Sequence, residues 1–264
     1  MRLGVFGLGN MGAAFVRGVI AAGVLSADDI LGFDPFEGAG ASLGIRRAKT
    51  AEEVARETDF WLIAVKPAGV APLLESLQSV SSAPPIILSL AAGVPLAAMV
   101  QHAPEGALVV RTMPNIAASE RAAATAWIGH RTLRADERAR VEQVVGAVGV
   151  AIELSDESHL HAFTGAVGSG IAWLFLAAEA IADGAVAEGL PRPIARRAAA
   201  AAIVGAGAML RDGEEVPGEL KDRVCSPGGT TIEGIVALEN AGIRAGFIDA
   251  VRQAARRSRE LAGK

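Results

Sequence analysis

The sequence predicts an α/β fold in which a doubly wound parallel sheet is followed by an all-α domain. Three observations carry that prediction. Residues 2–6, 29–33, 60–65, 85–90 and 107–111 are continuous apolar runs, the pattern of strands buried on both faces of a parallel sheet. Amphipathic stretches of helical period lie between them, as the crossovers of such a sheet require. After about Ser155 the β-branched runs vanish, and Ala-rich helical segments continue to the C-terminus.

Taken in order, RLGVF (2–6) is the first strand and MGAAFVRGVIAAG (11–23) the helix that leaves it. DILGF (29–33) follows, then AEEVARETD (51–59), a helix for which Thr50 and Glu53 predict a capping box. FWLIAV (60–65), AGVAPLLESLQS (68–79), PIILSL (85–90) and ALVVR (107–111) continue the alternation. A strand at 124–129, a helix at 135–145 and a strand at 149–154 complete a first domain, residues 1–155. The second domain, 156–264, reads as helices at 156–168, 170–188, 192–211, 217–223, 229–240 and 243–261. Gly189-Leu190-Pro191, Asp212-Gly213 and Ala241-Gly242 separate them. Helices this rich in Ala and Gly pack closely and bury surface against a partner, so a homodimer or larger homo-oligomer is expected.

Composition narrows the function classes. The chain has 264 residues, 51% hydrophobic and 20% charged, which suffices for a packed core. A net charge of -4 without a dense Lys/Arg block argues against nucleic-acid binding, and the basic stretch from Arg252 to Arg259 reads as a solvated helix face. The single cysteine permits no internal disulfide and suits a cytoplasmic protein. His159 and His161, two apart on a helix, point in different directions, so no metal site is expected. Glycines at 7, 9 and 12 interrupt any signal peptide. The apolar runs at 164–178 and 198–210 fall short of the roughly 20 residues that span a bilayer, so they are expected to be buried helices.

Two segments carry chemistry. Gly7-Leu8-Gly9-Asn10-Met11-Gly12 follows the first strand and opens the first helix, the context in which GxGxxG becomes the dinucleotide fingerprint of a Rossmann-type domain. Gly7 permits the tight turn, Gly9 admits the pyrophosphate, and Gly12 allows helix and strand to pack closely. Asp34, ending the second strand, is placed to accept from ribose hydroxyls and repel a 2′-phosphate, which favours NADH over NADPH. Arg46-Arg47 is the competing feature, able to fold back towards a phosphate. Ala64, Lys66 and Pro67 end the 60–65 strand on the ligand-binding edge, and Ala91 and Ala92 leave room for a nicotinamide after 85–90. Asn115, at the end of Arg111-Thr112-Met113-Pro114-Asn115, could fix backbone or ligand. The second segment, Cys225-Ser226-Pro227-Gly228-Gly229-Thr230-Thr231, sets a nest of N–H groups and hydroxyls at a helix N-terminus, a holder for a small carboxylate.

GLGNMG (7–12), AVKP (64–67), AAGV (91–94), RTMPN (111–115), GLPR (189–192) and LKDRVCSPGGTTIE (220–233) together resemble pyrroline-5-carboxylate reductase, in that family's order and over nearly the whole chain. The resemblance implies an N-terminal Rossmann domain, a helical C-terminal domain interlocked with its twin, and NAD(P)H-dependent reduction of 1-pyrroline-5-carboxylate to L-proline. By the same resemblance Gly228, Gly229, Thr230 and Thr231 bind the substrate carboxylate, Thr231 reaches the ring nitrogen, and Glu157 touches substrate. The chain departs from the family's Thr-Pro at Ile116-Ala117 and from SGSGPAY at Val167–Trp173. Two other readings stay open: a related imine or β-hydroxyacid-type reductase acting on another small carboxylate, and a non-catalytic dinucleotide-binding regulatory protein. The β-hydroxyacid class would require a lysine on the long helix, and residues 165–185 contain none.

Overall fold

Eight strands form one sheet in a computed structural model that describes residues 1–80, 83–211 and 216–262. The elements run β1 (Leu3–Phe6), α1 (Asn10–Ala21), β2 (Ile30–Phe33), β3 (Arg46–Arg47), α2 (Ala51–Glu57), β4 (Phe60–Ile63), α3 (Val70–Leu77), β5 (Ile86–Ser89), α4 (Leu96–His102), β6 (Leu108–Pro114), β7 (Ala123–Gly129), α5 (Ala135–Gly146) and β8 (Gly149–Glu153). The strand order is β3-β2-β1-β4-β5-β6-β7-β8. Every pair is parallel except β6–β7, which is antiparallel. That exception follows from the connection: the eight residues between β6 and β7 leave no room for a full helical crossover, and a short 3-10 turn at Ile116–Glu120 reverses the chain instead.

The apolar runs are continuous because alternate side chains feed two cores. Leu3, Val5, Leu62, Leu88 and Val110 face one cluster with Phe15, Val16 and Val141. Phe6, Trp61, Ile63, Ile87 and Val109 face the other with Val54 and Leu74. Phe6 and Trp61 meet edge to face at 5.6 Å, an arrangement worth about 1 kcal/mol beyond burial. Two short elements were not expected. β3 has two residues and no apolar run, and α4, as short as α2, follows Pro95 and lacks the Thr50–Glu53 type of capping signal that marks α2 in the sequence. The Thr50–Glu53 capping box forms by half: Thr50 Oγ1 accepts from Glu53 N–H at 3.2 Å, whereas the Glu53 carboxylate accepts from Lys49 N–H rather than from Thr50.

The helical part comprises α6 (His159–Phe163), α7 (Gly170–Ala187), α8 (Arg192–Arg211), α9 (Pro217–Arg223), α10 (Thr230–Asn240) and α11 (Ile243–Ala262). The chain divides into two units, Met1–Gly168 with the chain from Ala254 on, and Ser169–Gln253. The change of texture near residue 155 marks the end of the sheet, since β8 stops at Glu153; α6 stays with the first unit, where His161 Nδ1 lies 3.0 Å from Ser258 Oγ. In the second unit Gly189, at φ 94, ends α7 in a Schellman turn, with Leu190 N–H donating to Ala185 O and Gly189 N–H to Val186 O. Asp212-Gly213 lies outside the described residues.

The expectation of buried helices is corrected. A π turn at Thr164–Gly168 joins α6 to α7, so His159–Ala187 is one 29-residue helical element. That element and Arg192–Arg211 are long and apolar enough to cross a membrane by length and composition. Both are largely exposed in the single chain: Phe175 is 64% exposed and Val204 71%. Among the described residues, Ala182, Ala195 and Ala199 form a small buried cluster where α7 meets α8.

Candidate functional site

Register places the predicted dinucleotide residues on one edge of the sheet. Phe6 pairs with Phe33 on one side and Ile63 on the other, Ile63 with Ser89, and Ser89 with Arg111. The next residues of the first four strands in this row, Gly7, Asp34, Ala64 and Leu90, therefore stand together at the carboxyl ends, where open α/β sheets bind ligands, and Thr112 lies level with them inside β6.

The glycine loop fits a dinucleotide on geometric grounds. Gly7 has φ 100, and a Cβ there would sit 2.7 Å from Ala64 O. A Cβ on Gly12 would lie 2.1 Å from Gly7 O, so close packing of α1 on β1 needs glycine. At Gly9 a Cβ would meet nothing within 4 Å, which leaves open space beside the start of α1. Gly9 caps α1 without any side-chain hydrogen bond, and the first turn has no acidic residue, so the orphan N–H groups at Asn10 and Met11 are free for a pyrophosphate. Leu8 is buried and packs over Gly32 and Gly40.

Asp34 holds this loop. Its Oδ2 accepts from Leu8 N–H at 2.8 Å and its Oδ1 from Phe36 N–H at 2.9 Å. Arg47 is engaged beneath the following segment, donating to the carbonyls of Ala39, Asp34 and Phe36. Arg46 pairs with Glu57 at 2.5 Å. Lys66 and Pro67 are exposed, beginning a 3-10 turn after β4. Ala91 is buried, and its N–H donates to Ser89 Oγ at 3.3 Å, while Ala92 is exposed. Asn115 Oδ1 is buried without a hydrogen-bond partner among the described residues.

Glu157 is engaged within the first unit. Its Oε1 accepts from Arg111 Nη1 at 2.6 Å and from Leu96 N–H at 2.8 Å. Sequence reasoning singled out Glu157 but gave Arg111 no role. The one available signal was a cation at a strand end that burial forces to find a counter-charge.

The 225–231 turn lies in the second unit. Gly228 has φ 67, which favours glycine, and a Cβ on Gly229 would stand 2.3 Å from Ser226 Oγ. Gly229 N–H is already spent on Ser226 O at 3.0 Å. The available donors are thus the N–H groups and hydroxyls of Thr230 and Thr231, both exposed at the uncapped start of α10.

Comparison with known proteins extends these motifs to the whole chain. The family described as "Pyrroline-5-carboxylate reductase dimerisation" matches residues 157–261, and "NADP oxidoreductase coenzyme F420-dependent" matches residues 2–93. The pyrroline-5-carboxylate reductase of Methanosarcina acetivorans is 40% identical over 100% of this chain and 98% of its own length. The chain belongs to the pyrroline-5-carboxylate reductase family. The Arabidopsis thaliana reductase is 39% identical over 98% of this chain and 95% of its own. A solved pyrroline-5-carboxylate reductase from Coxiella burnetii superposes with a TM-score of 0.92 at 30% identity, covering 98% of each chain. As a member of this family the protein is an oxidoreductase that uses a nicotinamide dinucleotide. The two family matches take in the glycine loop, Asp34, Lys66, Ala91, Glu157 and the 225–231 turn; Arg111 and Asn115 fall outside both.

Proposed function

We propose that this chain reduces 1-pyrroline-5-carboxylate to L-proline with NADH as the preferred reductant. The full-length identity to curated reductases carries the reading, together with an intact SPGGTT turn. When bound, the reduced nicotinamide supplies the hydride that adds to the imine carbon, while the ring nitrogen takes a proton. An imine of this kind is electrophilic once protonated, so the chain's task is placement. Thr230 and Thr231 N–H groups at the start of α10 bind the substrate carboxylate, with the helix dipole favouring the anion. The Thr231 hydroxyl sits at the ring nitrogen and steadies the proton there. Gly228 and Gly229 shape the turn, and Gly7 to Gly12, Asp34, Ala64, Lys66, Pro67, Ala91 and Ala92 form the dinucleotide edge.

The preference for NADH rests on charge. Asp34 presents a carboxylate where a 2′-phosphate would lie, and the two nearby cations are committed, Arg47 to three backbone carbonyls and Arg46 to Glu57. The description matched over residues 2–93 names NADP, which makes the ratio worth measuring. Exposed Leu174, Phe175, Leu176 and Val204 on α7 and α8 support burial against a second copy, giving a homodimer or larger assembly. This assembly fits the dimerisation description of residues 157–261.

The test follows oxidation of NADH and of NADPH with pyrroline-5-carboxylate, pyrroline-2-carboxylate and a 3-oxoacid. Turnover of pyrroline-5-carboxylate with the higher kcat/KM for NADH is expected. Turnover of another substrate alone, or none, overturns the reading, and sedimentation as a monomer overturns the assembly.

A further inference from the structure

One carboxylate oxygen joins three elements of the first unit. Glu157 Oε1, in the turn before α6, accepts from Arg111 Nη1 on β6 at 2.6 Å and from the N–H of Leu96, first residue of α4, at 2.8 Å. Arg111 is only 8% exposed, and a buried guanidinium needs such a counter-charge. Its neighbour Thr112 donates Oγ1 to Ser89 O at 2.7 Å, at the last residue of β5. Consecutive residues of β6 thus hold the β5–α4 connection at both ends, Thr112 directly at Ser89 and Arg111 through Glu157 at Leu96. Between those ends Leu90 N–H donates to Ile63 O and Ala91 is buried, so the loosely held stretch begins at Ala92. Ala92, Gly93 and Pro95 are exposed, and Gly93 sits at φ 78 with nothing within 4 Å of a Cβ position.

We propose that Glu157 is a positioning residue: with Arg111 it fixes the course of the chain from Ala92 to Leu96 against the nicotinamide end of the dinucleotide, and it does not touch the substrate. This rests on the dinucleotide reading above and replaces the substrate contact that family resemblance implies for Glu157. Both donors aim at one oxygen, so the oxygen's place decides where α4 begins. From Ala92 to Pro95 the exposed residues leave the path to the buried Ala91 on one side and the Leu96 anchor on the other.

The experiment titrates the intact protein with NADH by fluorescence, a binding readout that needs no turnover, and sets it beside steady-state kinetics. Glu157→Ala is expected to raise the Kd for NADH about tenfold and lower kcat, with KM for pyrroline-5-carboxylate within about twofold of the parent, from the loss of hydrogen bonds to a charged acceptor. Glu157→Gln keeps an acceptor for Leu96 N–H and is expected to recover most of the affinity. A rise in KM for pyrroline-5-carboxylate with Kd for NADH unchanged would make Glu157 a substrate contact and overturn the proposal. So would a lower Tm with both constants unchanged, which marks a merely structural pair. If Glu157→Ala does not fold, Arg111→Lys, which keeps charge but loses the guanidinium geometry, is expected to weaken NADH binding in the same sense; unchanged binding would overturn the proposal. Absence of pyrroline-5-carboxylate turnover in the parent protein would instead strike the proposed reaction, while the NADH titration still decides the role of Glu157.

Discussion

The Asp34 carboxylate accepts a hydrogen bond from the backbone N–H of Leu8 at 2.8 Å, so the acid that ends β2 also holds the glycine loop that follows β1. Its second oxygen takes Phe36 N–H at 2.9 Å, and the carboxylate is thereby fixed in orientation before any ribose arrives. A preorganised acceptor costs less to use than one ordered on binding.

Asp34→Ser follows from this. Serine retains an acceptor but removes the charge proposed to repel a 2′-phosphate. The ratio of kcat/KM for NADPH to that for NADH is expected to rise at least about tenfold, roughly the 1.4 kcal/mol of one charged contact. An unchanged ratio would show that cofactor choice lies elsewhere.

Two glycines of the loop should respond oppositely. Gly12→Ala drives a Cβ to 2.1 Å from Gly7 O and should cost about 2–3 kcal/mol of stability, seen as a lower Tm. Gly9→Ala meets nothing in the protein and has φ -68, which alanine adopts freely. Its Tm should stay within about 2 °C of the parent while the Kd for NADH rises at least about tenfold, because the methyl would enter the open space proposed for the pyrophosphate.

At the carboxylate turn, Thr231→Ala is expected to lower kcat/KM for pyrroline-5-carboxylate about 10–100-fold, the range of one hydrogen bond to a charged group, with Kd for NADH unaltered. Unchanged kinetics would remove Thr231 from the mechanism.

Acid stability should depend on Glu137, at the start of α5. Arg131 grips its carboxylate with two hydrogen bonds at 2.8 Å, and Arg134 N–H adds a third at 2.9 Å. The Arg131 hydrogen bond, opposed by burial and aided by Arg134, holds its pKa down from 4.5 to about 2. The folded state therefore binds this proton more weakly than the unfolded one. The resulting stability is complete above about pH 4.5 and is lost as pH falls towards about 2. Glu137→Gln should destabilise by about 3 kcal/mol at pH 7 and flatten the denaturation midpoint between pH 4.5 and 2. An unaltered acid limb would assign the transition to other carboxylates.

The Ala-rich helices teach a different lesson. Thr164 to Ala178 reads as an apolar run too short to span a bilayer and therefore buried, yet α6 and α7 join through a π turn and leave Phe175 largely exposed. Hydrophobicity states that a surface must be covered; it does not state whether the cover comes from the same chain.

Local chemistry settles what neighbouring residues can do, and the sequence alone determined those features here. The apolar runs named the strands, GxGxxG named the loop after β1, and SPGGTT named the turn before α10, because each depends on contiguous residues and on backbone shapes that glycine alone adopts readily. The tertiary structure decided the rest. Only it turned β7 antiparallel to β6, committed Arg47 to the carbonyls of the 34–39 segment, and brought Glu157 to Arg111 and Leu96 across 46 and 61 residues of chain. Such partners are chosen by burial and register, which act between elements and leave no periodic trace within any one of them.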